Sequence, residues 1–404
     1  MNRWGIDRTF AAIAVAAFTM SAAGALFLVA APFVIKHLGG TDGDVGTSFA
    51  LNFVAYFLSC LVISFVINRF NPKRSAQLGA IGCALAVFGM VAIIYYADSV
   101  THPIMLFNIC VILVGILTAL FWPPLVGWLS AQHEGQELNR RLGSFNMAWS
   151  SGSWISPWIG GVLVAVNASI PMAIAAAIMV LCFISLRFAK NPARVKQTVI
   201  CAEMPVAEVS YIQHDQLDRF KWIARIALVA GFICVGLVRS QMGLLFKFEL
   251  GYSESSYGIA ITLMALANFV TFWIAGRSHQ WHYKKWHFVA SEAGLVVSMA
   301  IILSCKGLVL LFVAATIVGV MEGFLYAAHL FYGLTGSKQR SSLMAVHEFL
   351  LSIGLVAGSF LGGQLSDAFG RYMPYKFGVV AIAVAAAIQI AAWFIISSRK
   401  QSEA

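Results

Sequence analysis

Five ionisable side chains stand inside long apolar runs in the second half of this 404-residue chain: Arg239, Glu322, His329, His347 and Glu348. A carboxyl group removed from water is disfavoured in its charged form, so Glu322 or Glu348 is a candidate to take up and release a proton. Glu322 and His329 are seven residues apart and share one face of a helix. Arg239 carries a planar fork that matches a carboxylate or phosphate two bonds at a time, which makes it a candidate anion receptor. A static ion pair between Arg239 and Glu322 that ties two helices together remains open beside that reading. So does a structural role for His329, and one for His347 and Glu348 against Lys338 or Arg340.

The first half is nearly free of such charges and offers aromatic and amide groups instead. Asn52, Trp122, Asn146 and Trp149 are its candidates for lining a solute cavity; Asn146 and Trp149 are three apart and share a helix face. Indole surfaces stack on sugars, aromatic rings or cations. Trp154 and Trp158 are expected to face lipid. Glu292 reads as interfacial. His279, His282 and His287 stand beside Trp281 and Trp286, which suits an interfacial loop better than a metal site. His133-Glu134 lacks the second His that a zinc protease requires. The seven cysteines form no disulfide or zinc spacing. No catalytic set, metal site or cofactor is expected, and no enzymatic activity.

The elements that carry these residues follow from composition. The chain is 60% hydrophobic and 11% charged, with mean hydropathy +0.82; soluble domains carry about 25% charged residues. Apolar runs of roughly twenty residues are long enough for a helix to cross a bilayer, and only helices or closed barrels satisfy the backbone there. We place spans at 10–35, 45–67, 75–97, 103–130, 142–166, 170–188, 221–247, 257–276, 286–304, 307–334, 342–366 and 374–397. The first is too long for a signal-peptide core and is taken as an uncleaved span. Pro123 and Pro124 should break the hydrogen-bond ladder of the fourth. The expectation is an all-α membrane protein of twelve transmembrane helices.

Of the 27 Arg and Lys residues, 21 fall on the side of the termini and 5 on the other, with Arg239 within a span. The positive-inside rule then puts both termini in the cytoplasm, in a multi-pass protein of the inner membrane. It also accounts for the net charge of +10 without nucleic acid as a partner. A polar stretch at 189–218 divides the spans six and six, giving a bundle at 1–188, a cytoplasmic linker, and a bundle at 219–404.

The halves repeat. Leu38-Gly-Gly-Thr-Asp-Gly-Asp-Val-Gly46 returns at an offset of 212 as Leu250-Gly-Tyr-Ser-Glu-Ser-Ser-Tyr-Gly258. Gly152-Ser-Trp-Ile-Ser-Pro157-Trp-Ile-Gly160-Gly161 returns at an offset of 202 as Gly354-Leu-Val-Ala-Gly358-Ser-Phe-Leu-Gly362-Gly363. Small residues at these spacings let helices approach closely in lipid. The stretch Gly362 to Arg371 looks like a gating loop signature, but its repeat partner is an external turn, so it receives no gating role.

Two six-helix halves joined by a cytoplasmic linker resemble the major facilitator superfamily, across nearly the whole chain. Within it, Gly143, Gly152, Ser156-Pro157 and Gly160-Gly161 resemble the fifth-span motif of bacterial drug:proton antiporters, with Ser156 in place of a Gly. The family's loop between spans 2 and 3 is only partly kept: Arg69, Lys73 and Arg74 remain, while its Asp is Asn68 and its glycines are gone. The fourth span lacks the antiporters' Arg. The resemblance implies a secondary transporter working by alternating access around a midplane site. Its partners would be a small organic solute, protons and membrane lipid, and the chain would act as a monomer. An uncoupled facilitator and a transport-inactive scaffold or sensor are the rival readings.

Overall fold

Backbone polar groups in a bilayer must be satisfied within their own segment, and helices do this throughout the described part of the chain. The computed structural model describes residues 8–66, 71–130, 135–190, 213–278, 280–334 and 340–402. The helices run α1 (Arg8–His37), α2 (Asp42–Val66), α3 (Pro72–Tyr95), α4 (Pro103–Ala119), α5 (Trp122–Ser130), α6 (Gly135–Val166), α7 (Ser169–Arg187), α8 (His214–Leu244), α9 (Glu254–Ala275), α10 (Trp286–Ser304), α11 (Leu308–Leu334), α12 (Arg340–Phe369) and α13 (Met373–Ser402). Among the described residues eleven helical spans are long and apolar enough to cross a membrane, α4 and α5 together forming one of them. α6 is the twelfth expected span. Its 32 residues reach about 48 Å against a hydrocarbon core of about 30 Å; its Ser, Gly and Trp content lowers its hydropathy without shortening it.

The break in the fourth span falls where the prolines require it. α4 closes on 3₁₀-type bonds from Leu120 N–H to Leu117 O (3.1 Å) and from Phe121 N–H to Thr118 O (3.1 Å). α5 then starts at Trp122, with Pro123 and Pro124 in the first turn, where a missing N–H leaves no bond unmade. α3 opens on the Asn71-Pro72 pair: the Asn71 side chain accepts from Arg74 N–H at 3.2 Å, a standard N-cap with proline in the first turn. Arg69 and Asn68 lie outside the described residues.

The chain forms two compact units, Met1–Thr198 with Phe246–Thr262, and Val199–Leu245 with Leu263–Ala404. In the first, α1 packs on α6 and α7, α3 on α4 and α7, and α2 on α4. In the second, α8 packs on α12, α13 and α11, and α10 on α11 and α13. The sequence repeat is therefore a repeat of packing: α1 crosses α6 as α8 crosses α12. A Cβ at Gly152 would run into the Phe18 carbonyl of α1, and one at Gly354 would stand 2.7 Å from the Val229 carbonyl of α8. Gly358 is pressed against the Ile233 carbonyl, Gly362 against the Leu237 side chain. Gly160 meets only side chains at 3.3 Å or more, and Gly363 is buried. In the first unit, Gly161 lies against Glu254 and Gly258 at the start of α9. Of Gly143 only its place in α6 is described.

The other repeat is equally exact in backbone terms. Gly39 and Gly251, 212 residues apart, both sit at positive φ (83° and 71°), a conformation that favours glycine. Each turn is closed by an ion pair, Lys36–Asp42 at 3.1 Å and Lys247–Glu254 at 3.0 Å. Asp42 and Glu254 each lie in the first turn of a helix, where the macrodipole favours an acid.

Candidate functional site

Four of the five ionisable residues singled out in the second half meet as two pairs within the second unit, one part-buried and one buried. α8 supplies Arg239, α11 supplies Glu322 and His329, and α12 supplies His347 and Glu348. Arg239 Nη2 donates to Glu322 Oε1 at 2.9 Å, with side-chain exposures of 30% and 6%. The other carboxylate oxygen, Oε2, is buried and has no hydrogen-bond partner. This is one short contact, and it leaves an acceptor site open on an anion held away from solvent.

About two turns along α11 the second pair forms. His329 Nδ1 and His347 Nδ1 are 2.7 Å apart, and the rings stack with centroids at 4.8 Å. At that separation one ring donates and the other accepts, so the pair shares one proton between its Nδ1 atoms. Both Nε2 atoms are buried without a partner. His347 meets His329; the side chains of Lys338 and Arg340 lie outside the described part. Glu348 is half-buried.

Sequence reasoning missed two residues here. Tyr326 stands edge-on to the His347 ring at 4.5 Å and lies within electrostatic reach of both Glu322 and Glu348. It is four residues after Glu322 and three before His329, so the helix period alone puts it on the same face. Arg225 acts electrostatically on His329, and its Nε is buried without a partner. It lies 14 residues before Arg239, close to four helical turns and hence on the same side of α8. Counting it with the basic residues at the membrane surface hid it. The result is a polar line along one face of α11, from Glu322 past Tyr326 to His329, with Arg239 and Arg225 on α8 and His347 and Glu348 on α12.

The first-unit candidates do not form a comparable cluster. Asn52 Nδ2 donates to the Val111 carbonyl at 3.1 Å and thereby ties α2 to α4. Close by, Ser48 donates to Asn108 Oδ1. Trp122 stands edge-on to Phe121 (4.9 Å) and Phe145 (6.3 Å). Trp149 Nε1 donates to Asn146 Oδ1 at 3.0 Å, and Asn146 is exposed. Pro157 is buried in α6, and the next amide, Trp158 N–H, donates to Thr262 Oγ1 at 3.0 Å. Trp158 is 52% exposed, as its lipid-facing assignment requires. Trp154 departs from that assignment: its indole N–H is buried and unpartnered.

Glu292 also differs from its interfacial reading. It is buried between α10 and α13, where Gln389 Nε2 donates to its Oε1. The partner is 97 residues away in sequence, which is why the sequence did not disclose it. His282 and His287 stack on Phe331 (3.8 Å) and Trp286 (3.7 Å); His279 lies outside the described residues. Among the described residues no group of three or more His, Cys, Asp or Glu is arranged to hold a metal.

Comparison with known proteins follows this geometry. A family profile described as Major Facilitator Superfamily matches residues 13–282. A search of curated protein sequences found no match. Among solved structures, the chain is similar to a mutant of the nucleoside transporter NupG, at TM-score 0.75 and 11% identity over 95% of this chain and 100% of that one. It is similar to a bacterial homologue of the human lysosomal transporter Spinster in an inward-facing, occupied conformation, at TM-score 0.72 and 15% identity over 98% of each chain. It is also similar to a POT family transporter in complex with 5-aminolevulinic acid, at TM-score 0.70 and 13% identity over 96% of this chain and 97% of that one. At these identities the likeness concerns the fold.

Proposed function

The chain belongs to the major facilitator superfamily, and from that premise we propose that it is a proton-coupled secondary transporter of a small organic solute. The observation that carries this is the Glu322 carboxylate: one oxygen is held by Arg239, and the other is buried with no partner. A proton arriving at Oε2 cancels the charge that holds the guanidinium. Arg239 then turns its fork to an anionic group on the solute. Loss of the proton restores the ion pair and expels that group. Proton and solute thus bind together and leave together on one pair of side chains, which is the coupling a secondary transporter requires.

The imidazole pair and Tyr326 supply the route by which the proton reaches or leaves Glu322. Shared Nδ1 atoms pass a proton between the rings, and the open Nε2 atoms receive it or give it up. In the first unit, Asn146 and Trp149 lie on one face of α6, bonded to each other, and are kept as separate candidates for solute contact. Alternating access by rocking of the two bundles exposes the site to each side in turn. The protein acts as a monomer in the inner membrane with both termini cytoplasmic, consistent with its distribution of Arg and Lys. The α6 glycine pattern supports kinship with bacterial drug:proton antiporters, and Ser156 and the lack of an Arg in α4 set it apart from them. The structural neighbours named for nucleosides and for a complex with 5-aminolevulinic acid make polar metabolites the first solutes to try.

The test is reconstitution into liposomes loaded with a pH-sensitive dye under an imposed pH gradient, with pools of nucleosides, amino acids and short peptides added outside. Coupled transport shows as solute-dependent proton movement that Glu322→Gln abolishes. Solute flux indifferent to the gradient and to Glu322→Gln identifies an uncoupled facilitator. No flux with any pool favours the scaffold reading, for which the degenerate loop between α2 and α3 is the supporting observation.

A further inference from the structure

At the end of the second unit where α8 and α10 begin and α13 finishes, two cations are stacked on one indole. Lys285 Nζ lies 3.4 Å from the Trp393 ring centroid and the Arg219 guanidinium carbon 5.3 Å from it. Phe220 packs edge-on against the same ring at 5.8 Å. Lys221 and Lys284 flank the two cations in sequence. Among the described residues no ion pair joins a carboxylate to Arg219 or Lys285. Arg219 Nε is buried and has no hydrogen-bond partner.

Two like charges over one ring repel each other, and the indole face offsets only part of that. The arrangement is nonetheless firmly built. The loop leading to Lys285 is pinned at Tyr283, which takes a positive φ of 55°, while its amide donates to the Tyr332 hydroxyl at 2.7 Å. Lys285 is then set at the N-cap of α10 with no side-chain capping bond, and the first turn of α10 carries no acid. A cation at that end opposes the helix macrodipole. In α2 and α9 the first turn holds Asp or Glu. Each feature is unfavourable alone, and one bound anion relieves all of them: it separates the two cations, accepts from Arg219 Nε and caps α10.

We propose that Arg219, Lys285 and Trp393 form a binding site for a phosphate oxyanion, and that its occupant is the phosphodiester of an anionic membrane lipid. The tryptophan suits the headgroup level of a bilayer, and clustered Lys and Arg beside a membrane span attract anionic lipid by charge. This site is separate from the polar line on α11 and does not depend on the transport reading.

The experiment is native mass spectrometry of the full chain released from nanodiscs of phosphatidylglycerol mixed with phosphatidylcholine. Wild type is expected to retain phosphatidylglycerol selectively. Arg219→Gln and Lys285→Gln should each lower that retention by about fivefold and the double variant by more. A parallel titration with inorganic phosphate follows the tryptophan fluorescence difference between wild type and Trp393→Phe. Saturation at millimolar phosphate that also displaces the lipid keeps the oxyanion site and makes a soluble phosphate compound its occupant. Unchanged phosphatidylglycerol retention in the double variant, together with no phosphate response at Trp393, overturns the proposal. Unfolding midpoints of the variants in detergent, expected to equal that of wild type, separate loss of binding from loss of fold.

Discussion

The Arg239–Glu322 pair is where structure and proposed function meet most directly, and a double-mutant cycle tests both. The contact is 2.9 Å, with Glu322 almost wholly buried and Arg239 30% exposed. Opposite unit charges at about 4 Å interact by about 4 kcal/mol at an effective dielectric of about 20. Solvent at Arg239 screens part of this, so the expected coupling lies near ~1.5–3 kcal/mol, the range for hydrogen bonds to charged groups. Glu322→Gln keeps an acceptor for Arg239 but leaves the guanidinium without its counter-ion. Arg239→Gln leaves a buried carboxylate unpaired and is expected to cost more, about 3–5 kcal/mol as for other broken buried pairs. The double variant should therefore be less destabilised than the sum of the singles. The assay is denaturant unfolding in micelles for all four proteins, alongside dye-reported proton movement in liposomes. A coupling energy below about 0.5 kcal/mol, the level at which independent sites add, refutes the ion pair and the coupling mechanism built on it. Strong coupling with undiminished proton-linked flux in Glu322→Gln refutes the mechanism alone and leaves a helix tie.

Three further outcomes follow from the same contacts. Gly358→Ala drives a methyl into the Ile233 carbonyl and is expected to destabilise by about 1–3 kcal/mol, whereas Gly24→Ala, with nothing within 4 Å, should be neutral; unfolding midpoints of the two variants check this. His347→Ala strands His329 Nδ1 in a buried position, at a cost of about 1–3 kcal/mol. Replacing both histidines with Phe should cost less than the two single losses combined, in the same unfolding assay. Lys247→Ala removes a pair whose lysine side chain is 40% exposed, so its effect on stability should stay within about 1 kcal/mol, despite the recurrence of that pair in both halves.

What could be read from the sequence was whatever a short stretch determines for itself. Pro123 and Pro124 end one helix and begin another with no help from the rest of the fold. Gly39 and Gly251 share a turn because a left-handed residue between two helices favours glycine wherever it occurs. Arg239 and Glu322 were legible for a different reason: lipid makes an isolated charge so costly that each implied a partner, and few were available. The His329–His347 pair and the Gln389–Glu292 contact resisted reading because their members lie on helices brought together by packing. Imidazoles and amides are tolerated in many environments, so neither histidine nor Gln389 announces its neighbour, and Glu292, near the end of its span, was as compatible with the interface as with the interior. Trp154 failed for a related reason: an indole is equally at home against lipid and inside a bundle, and only the surrounding helices select between them.

The asymmetry between the halves sharpens this point. The two bundles share backbone turns, glycine crossings and terminal ion pairs, so the repeat preserves what folding in a membrane requires. It does not preserve chemistry: Asn146 is the repeat partner of Glu348, and α4 has nothing to match Glu322 or His329. Features that return in both halves are thereby assigned to architecture, and residues that appear in one half alone become the candidates for function. By that criterion Lys36 and Lys247 are structural despite their charge. Tyr326 and Arg225, which no motif announces, belong with the site because each is on the face of its helix that the unrepeated charges already occupy.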